Sequence, residues 1–499
     1  MRVLLANPPT RINIDDKNEY FYVKAGSRWP HSYIKKKSKR ILYPCFPFYL
    51  AYTAALLEEE GIDVQVLDFA ALNHTKEEFV NSAVNKKPDV ILFETSTLTI
   101  EHDLNLARIL KEKISAKIVL SGTHVTVFPK EVLKNEYVNF ILLREYELNF
   151  LELVRRLRDG KDLKNVEGLA YKSNGKIIVN NITNLTDLNR LPFPARHLFP
   201  TNRYNNLDLY WDGFCQYKPA IQMHTSRGCP FKCNFCLWNQ VMYNNGKYRT
   251  FSAKRVIDEM EHCIEKYGAR EIYFDDDSFT TSKQHVLSIC REIKERGLDI
   301  KWSCMGDAMV TDKEMIDVMA DAGCIGMKFG VETGSYEILK EIGKPINLER
   351  VRRVAKWCTK RGIKTHATFT FGSIGETKET IAKTLKFAKE LDTDSVQFSI
   401  TTPFPGTRFY EEVKKKGLLL ANKWGEFDGS SSSVVKFQNI SSEEVKKLCS
   451  VAVREWILLK IRRPTWVLRQ LKLSLRILGG QGLNGIYSKC ALVLRYLIG

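Results

Sequence analysis

The sequence predicts an α/β protein: two parallel strand–helix domains in series, followed by a helical extension. Three observations carry that expectation. Strand and helix patterns alternate up to about Arg155, the alternation breaks over 156–217, and it resumes at Lys218 for about six units. The chain has 499 residues and 44% hydrophobic content. That is material for about three domains with ordinary cores.

The elements follow in order. RVLLAN reads as a strand entering a loop, FYLAYTAALLEEEG as a helix stopped at Gly61, and DVQVLDF as a second strand. DVILFET, the helical LNLARILKEK and KIVLSG continue the series. Repetition of this kind implies a doubly wound parallel sheet over 1–155, whose ligands sit at the carboxyl ends of the strands. The loops after Asn7, Asp68, Thr95 and Gly122 therefore share one rim. Over 156–217, GLAYKSNGKIIVNN reads as a hairpin turned at Asn174-Gly175, and LPFPARHLFP as an extended connector. This stretch is expected to link the two domains.

In 218–430 the strands are AIQMHTS, EIYFDD, IKWSCM, GMKFGVE, KTHATFTFG and SVQFSIT. Helices such as AKRVIDEMEHCIEKYG, capped by Ser252, lie between them. A parallel series of this length opens into a sheet or curls into a barrel, with its chemistry at the C-terminal strand ends. Residues 431–499 turn helical and basic, mixing Leu, Ile and Trp with Lys and Arg. Two readings stay open there: a helix lying in a membrane interface, or one packed on the preceding domain with a solvated basic face.

Composition narrows the function classes. Twelve cysteines in a long chain without a secretory signal argue against a disulfide framework, and most read as buried small hydrophobes. The net charge of +18 suits nucleic acid, a membrane surface or an anionic substrate. The basic residues are dispersed, densest at KKKSKR (35–40), KKK (414–416) and the C-terminal region, and no nucleic-acid motif accompanies them. Nucleic acid is therefore not the expected partner. The apolar run of MRVLLANPPT is too short for a signal peptide, and no stretch reaches the ~18 apolar residues of a spanning helix. The expectation is a cytoplasmic protein, peripheral to a membrane at most.

Directly after the strand AIQMHTS, SRGCPFKCNFCLWN places Cys229, Cys233 and Cys236 in a CxxxCxxC pattern. Three thiolates on one tight loop suit zinc or an iron–sulfur cluster. Zinc needs a fourth ligand, for which His224 is nearest in sequence. A cube held by three cysteines instead keeps one iron open to a ligand.

This loop and its setting resemble the radical S-adenosylmethionine (SAM) superfamily. The resemblance implies that Cys229, Cys233 and Cys236 bind a [4Fe-4S] cluster and that SAM occupies the fourth iron. Reductive cleavage of SAM then gives a 5′-deoxyadenosyl radical, with the electron coming from a reductase, a ferredoxin or a flavodoxin. Further motifs lie in family order. FDDDSFT (274–280) resembles the second-strand signature, from which Asp276 is taken as a SAM contact. GVETGS (330–335) supplies Glu332 at the SAM moiety. FGSIGET (371–377) supplies Gly372 and Gly375 near the adenosine, with Ile374 where proline is common. PFPGT (403–407) resembles the loop after the sixth strand, and Phe235 matches the aromatic position whose backbone faces adenine.

The first domain has its own likeness. NPP (7–9), LDF (67–69) and SGTHVTVFP (121–129) resemble the Rossmann-like cobalamin-binding domain fused ahead of a partial (β/α)6 radical SAM barrel in one subgroup. This implies corrin contacts at Ser96 and Gly122, with His124 within reach. The DxHxxG motif is absent, as is usual in that subgroup. REYELNF (144–150) stands where a GEGE-type turn is usual: Arg144 and Tyr146 replace both glycines, which would narrow the corrin site, while Glu145 and Glu147 remain.

KAGSRWP (24–30) with the following YP, CLWNQ and GKYRTFS resemble a subfamily associated with hopanoid side-chain biosynthesis, near the BchE-like subgroup. This implies modification of an unactivated carbon, by methyl transfer through cobalamin or by ring or carbon–carbon rearrangement, on a lipid-linked or polyol small molecule. The C-terminal basic helices would then touch a membrane surface. Two rivals stand beside it: a radical SAM enzyme modifying RNA, and a non-catalytic iron–sulfur or cobalamin sensor. The first lacks a small RNA-binding barrel at the C-terminus; the second does not account for the intact strand-end motifs.

Overall fold

Runs of β-branched and aliphatic residues alternating with amphipathic helices give two separate parallel sheets. The computed structural model describes residues 1–481 except 10, 16–17, 24–30, 35–44, 73, 183–184, 201–207, 211–212 and 430–432, with backbone alone for the strands within 11–34. KAGSRWP, KKKSKR and Cys490 lie outside the described residues.

In the first domain, β1 (Arg2–Asn7) is followed by β2 (Arg11–Asp15), β3 (Asn18–Val23) and β4 (His31–Ile34), which form a small antiparallel sheet of their own. Next come β5 (Asp63–Asp68), β6 (Val90–Thr95), β7 (Lys117–Gly122), β8 (Phe140–Leu142), β9 (Leu169–Ser173) and β10 (Lys176–Val179). The main sheet runs β10-β9-β8-β7-β6-β1-β5. Its β8-β7-β6-β1-β5 portion is parallel, and β6 is buried along its whole length, as expected of a strand covered on both faces. The hairpin read as part of the connector turns at Asn174-Gly175, both with positive φ, and β9 pairs antiparallel with β8 to extend this sheet.

The second domain holds β11 (Ala220–Met223), a two-stranded clip of β12 (Ser226–Arg227) and β13 (Arg249–Thr250), and then β14 (Glu271–Phe274), β15 (Lys301–Gly306), β16 (Cys324–Glu332), β17 (Lys364–Phe371) and β18 (Ser395–Ile400). The six long strands β11-β14-β15-β16-β17-β18 are all parallel and lie in chain order, the topology of a partial (β/α)6 barrel. Ser252 caps the helix Ala253–Tyr267 by accepting from Arg255 N, as its sequence suggests. Trp302 of β15 is wholly buried and donates to the Ala322 carbonyl at 2.7 Å.

Buried Arg196 ties the connector to the second domain through Glu259 at 2.7 Å and the Gln222 carbonyl at 2.9 Å. At the far end, the helices Ser442–Lys460 and Pro464–Gln481 lie along the outside of the barrel. Trp456 donates to the Ala388 carbonyl, Trp466 to that of Thr393, and Arg469 pairs with Asp392 and Asp394. Among the described residues no helix is long and apolar enough to cross a membrane.

Replacing Trp302 with Ala removes both its packing and its hydrogen bond. We expect a loss of about 3–5 kcal/mol, read as a lower thermal midpoint of the anaerobically purified protein.

Candidate active site

The cysteine loop begins where β12 leaves the sheet. Gly228 has φ +95, and a Cβ there would stand 2.6 Å from the Lys247 carbonyl oxygen, so no side chain fits. Side chains the sequence reading treated only as part of CLWNQ then fix the loop. Gln240 Nε2 donates to the carbonyls of Cys233, Asn234 and Cys236 at 3.1, 2.9 and 3.1 Å. Asn239 Nδ2 donates to the Phe231 carbonyl at 2.8 Å. From outside the loop, Asn234 N donates to the Ile342 carbonyl and Gly228 N to Asp277 Oδ2. Phe235 is buried inside the loop.

The three thiols share one environment. Burial pushes Cys229 up to about 12 and Cys236 up to about 11, and it raises Cys233 as well. Cys229 and Cys233 each feel at least one other thiol, Cys236 feels Asp277 and Glu332, and the charge of Lys344 counteracts the rise at all three. Among the described residues no three His, Cys, Asp or Glu side chains converge on one point for a single metal ion. A cube offers a separate iron to each thiolate, so its ligands need not converge, and the all-sulfur donor set fits it. His224, the candidate fourth zinc ligand, instead lays its ring on Phe48 of the first domain, with centroids 3.8 Å apart.

Opposite the loop, Glu332 closes β16 with φ +68, a left-handed conformation rare for a side chain of this size. Lys344 Nζ donates to Glu332 Oε1 at 2.8 Å and to the Gly330 carbonyl at 2.9 Å, and lies 3.6 Å from Asp307. Burial opposes its charge, but the Glu332 and Asp307 carboxylates outweigh that and keep this ammonium protonated. A Cβ on Gly330 would sit 2.3 Å from Glu332 Oε1, which explains that glycine. Lys344 carried no signal in the sequence: it sits in a GKPI turn that matches no motif used above.

Asp276 is engaged within the chain. Its two oxygens accept from Thr225 N, Thr225 Oγ1, Ser226 N and Ser226 Oγ, so it clamps the lead-in to the cysteine loop. It is Asp277 that meets the loop itself. Gly372 and Gly375, with φ +97 and +81, turn the chain after β17 on the same rim as Glu332. Gly372 N donates to Glu376 Oε2, and burial raises the Glu376 carboxyl to about 7.

In the first domain, Gly122 has φ +111, and a Cβ there would meet the Thr95 carbonyl oxygen at 2.1 Å. Beside it, the buried Thr123 hydroxyl has no hydrogen-bond partner among the described residues. Ser96 Oγ lies 3.4 Å from Thr99 Oγ1, within a network in which Thr95 and Thr99 donate to Asp103. A buried turn lined by hydroxyls, one of them without a partner among the described residues, has the polar character that the tail of a corrinoid needs. His124 is on this rim, but Phe128 and Trp424 enclose its ring, and burial lowers it to about 4, so it is neutral.

The two rims face each other. The turn Thr123–Val127 packs on Trp238–Met242, which follows the last cysteine. Gly406 of PFPGT admits the contact: a Cβ there would stand 2.5 Å from Val127 Cγ2 and 2.8 Å from Val241 Cγ2. A buried ionic knot locks the arrangement. Arg227 binds Glu145 at 3.0 Å and Glu147 at 2.6 Å, with its guanidinium 4.4 Å from the centre of the Tyr49 ring. Arg249 adds a second pairing to Glu145 at 2.8 Å. Arg144 keeps the left-handed backbone of the glycine it replaces, at φ +59. Tyr146 is wholly buried and donates to Glu94 at 2.9 Å.

Comparison with known proteins agrees with this geometry. Residues 223–388 match the Radical SAM superfamily model, and residues 39–154 match the B12 binding domain. An uncharacterized methyltransferase from Pyrococcus horikoshii is 33% identical over 411 residues, 81% of this chain and 85% of the relative. The chain belongs to the cobalamin-binding radical SAM family. It is a radical SAM enzyme whose cofactors are a [4Fe-4S] cluster, SAM and cobalamin, and it requires a small-molecule substrate and an electron donor. A cytidylyl-2-hydroxyethylphosphonate methyltransferase from Streptomyces wedmorensis is 26% identical over 430 residues, 75% of this chain and 79% of that one. The structure of the radical SAM methyltransferase TsrM from Kitasatospora setae, with cobalamin and a [4Fe-4S] cluster, superposes with a TM-score of 0.67 at 18% identity, covering 93% of this chain and 89% of TsrM.

Two outcomes follow from the charges. Arg227→Met leaves Glu145 and Glu147 buried beside one fewer cation. It should cost about 3–5 kcal/mol, read as a lower thermal midpoint and faster proteolysis in the connector. Glu376 is raised from 4.5 to about 7 by folding. The native state therefore holds this proton more tightly than the unfolded state, and stability falls as pH rises through that interval. Glu376→Gln removes the penalty. Its stability relative to the parent should improve by up to about 1.4 kcal/mol per pH unit between about pH 5 and 7 and level off above, as measured by denaturation at stepped pH.

Proposed function

We propose that this enzyme transfers a methyl group to an unactivated carbon of a small molecule that is lipid-linked or carries a polyol. The observation that carries the reading is the meeting of the corrin rim and the cysteine loop at Val127, Val241 and Gly406. The two curated relatives named above are methyltransferases, which supports methyl transfer. Anaerobic magnesium-protoporphyrin IX monomethyl ester cyclases match as well, at 24–26% identity, and keep ring rearrangement as the second reading. The lipid or polyol character of the substrate rests on the CLWNQ and GKYRTFS resemblance.

When bound, the cluster and SAM supply a carbon radical and the corrinoid a transferable methyl group. The chain's part is to bind, orient and exclude water. Cys229, Cys233 and Cys236 hold the cluster. Phe235, Glu332, Gly372 and Gly375 lie where SAM would be gripped, and Asp277 and Lys344 set the charge beside it. Ser96 and Gly122 receive the corrin tail. Between the rims lies a narrow cleft lined by Phe48, Tyr49, His224, Trp238, Asp275 and Asp277, among others. Its rings keep water from a radical that would abstract almost any nearby hydrogen. The electron donor is a reductase, ferredoxin or flavodoxin.

The test is anaerobic incubation with cobalamin, reductant and SAM carrying a deuterated methyl group. 5′-Deoxyadenosine and S-adenosylhomocysteine should both accumulate. Substituting Ala for Cys229, Cys233 or Cys236 should abolish deoxyadenosine formation and the visible absorbance of the cluster, whereas Cys304→Ala should keep both. Bound cofactors without any SAM cleavage by the parent enzyme would identify a sensor and end this reading.

A further inference from the structure

The helix Pro464–Gln481 presents two unlike faces. Its inner face is anchored: Leu473 and Ile477 are buried, Trp466 donates to the Thr393 carbonyl, and Arg469 pairs with Asp392 and Asp394. Its outer face carries Leu468, Leu471, Leu475 and Leu478 at relative exposures of 60, 56, 67 and 36%. Their spacing of three, four and three residues puts all four on one stripe. Leu458 and Ile461, at the end of the preceding helix, are exposed as well, at 38 and 48%. Most large exposed hydrophobics among the described residues belong to this one region. Such a concentration marks a contact surface, because singly scattered leucines are the normal condition.

Charge identifies what the stripe meets. From Trp456 to the end of the chain the sequence has eight lysines and arginines and no aspartate or glutamate. Arg462, Lys472 and Arg476 are exposed beside the leucines. Leucines on one face, bordered by cations without any acid, form the pattern of a helix seated in a bilayer interface, where its side chains enter the acyl boundary and its cations meet anionic headgroups. The anchoring of the inner face holds the stripe in place without help from the membrane.

We propose that the outer face of helix Pro464–Gln481 docks onto an anionic membrane surface. The inference deepens the lipid-linked reading of the substrate, and its test needs no turnover. Full-length protein is mixed with phosphatidylcholine vesicles, with or without about a third of phosphatidylglycerol, and the bound fraction is measured by flotation. Binding should require the anionic lipid and weaken as salt rises from about 0.1 to about 0.5 M. Leu471→Glu with Leu475→Glu should weaken it by at least about tenfold, since both side chains leave the acyl boundary. Leu420→Glu, which alters an exposed leucine outside this helix, should leave it unchanged. The double variant, away from both rims, should retain its thermal midpoint and SAM cleavage without vesicles, so that loss of binding is not loss of fold. Equal binding by parent and double variant would overturn the proposal. So would absence of binding to anionic vesicles, or a parent dimer in solution that the same two substitutions dissolve, which would give the stripe to a second copy of the chain.

Discussion

Arg227 is the residue on which the rest of the structure turns. A guanidinium without solvent is tolerated only when its charge is matched, and Glu145, Glu147 and the Tyr49 ring supply that here. Nη1 and Nη2 are paired, and Nε is left without a hydrogen-bond partner among the described residues. Both glutamates belong to the first domain, while Arg227 lies two positions before the first cysteine of the loop. The backbone that carries the cluster ligands is therefore the backbone that docks the two domains. A shift in their relation moves the cysteines, and a misplaced cysteine loop exposes three buried charges. Electrostatics has made domain docking and cluster geometry one condition.

Local backbone constraint serves the same arrangement. Glu332, Gly122, Gly228 and Gly406 all adopt positive φ, and each lies where two chains or two elements approach closely. The glycines are there because a methyl group would strike a carbonyl oxygen or a valine. Glu332 has no such exemption. Its conformation is held by the salt bridge to Lys344 and by the irregular pairing of β16 with β17. Gly122 and Glu332 lie at the carboxyl ends of β7 and β16, where a parallel sheet leaves backbone available to ligands.

Much of this was legible in the sequence because it is periodic or local. The six long strands of the second domain and the parallel strands of the first announce themselves through apolar runs between amphipathic helices, and the Asn174-Gly175 turn through residues that accept positive φ. The cysteine loop was visible by spacing alone. The contacts that organise the site were not, because they join residues far apart in the chain. Nothing near Lys344 says that it will meet Glu332, and nothing in DDD says that the middle aspartate turns inward to Thr225 and Ser226 while its neighbour meets the loop. The departure REYELNF looked like a loss of glycine. Its meaning came only from the partners of its two glutamates and from Arg144, which adopts a left-handed backbone while its N donates to Thr126 Oγ1.

Trp424 lies beyond the last barrel strand, yet packs on His124 and Phe128 at the corrin rim. During synthesis the first domain leaves the ribosome roughly 270 residues ahead of it, and domains generally fold as they emerge. This rim of the first domain is thus roofed only after nearly the whole polypeptide has been made.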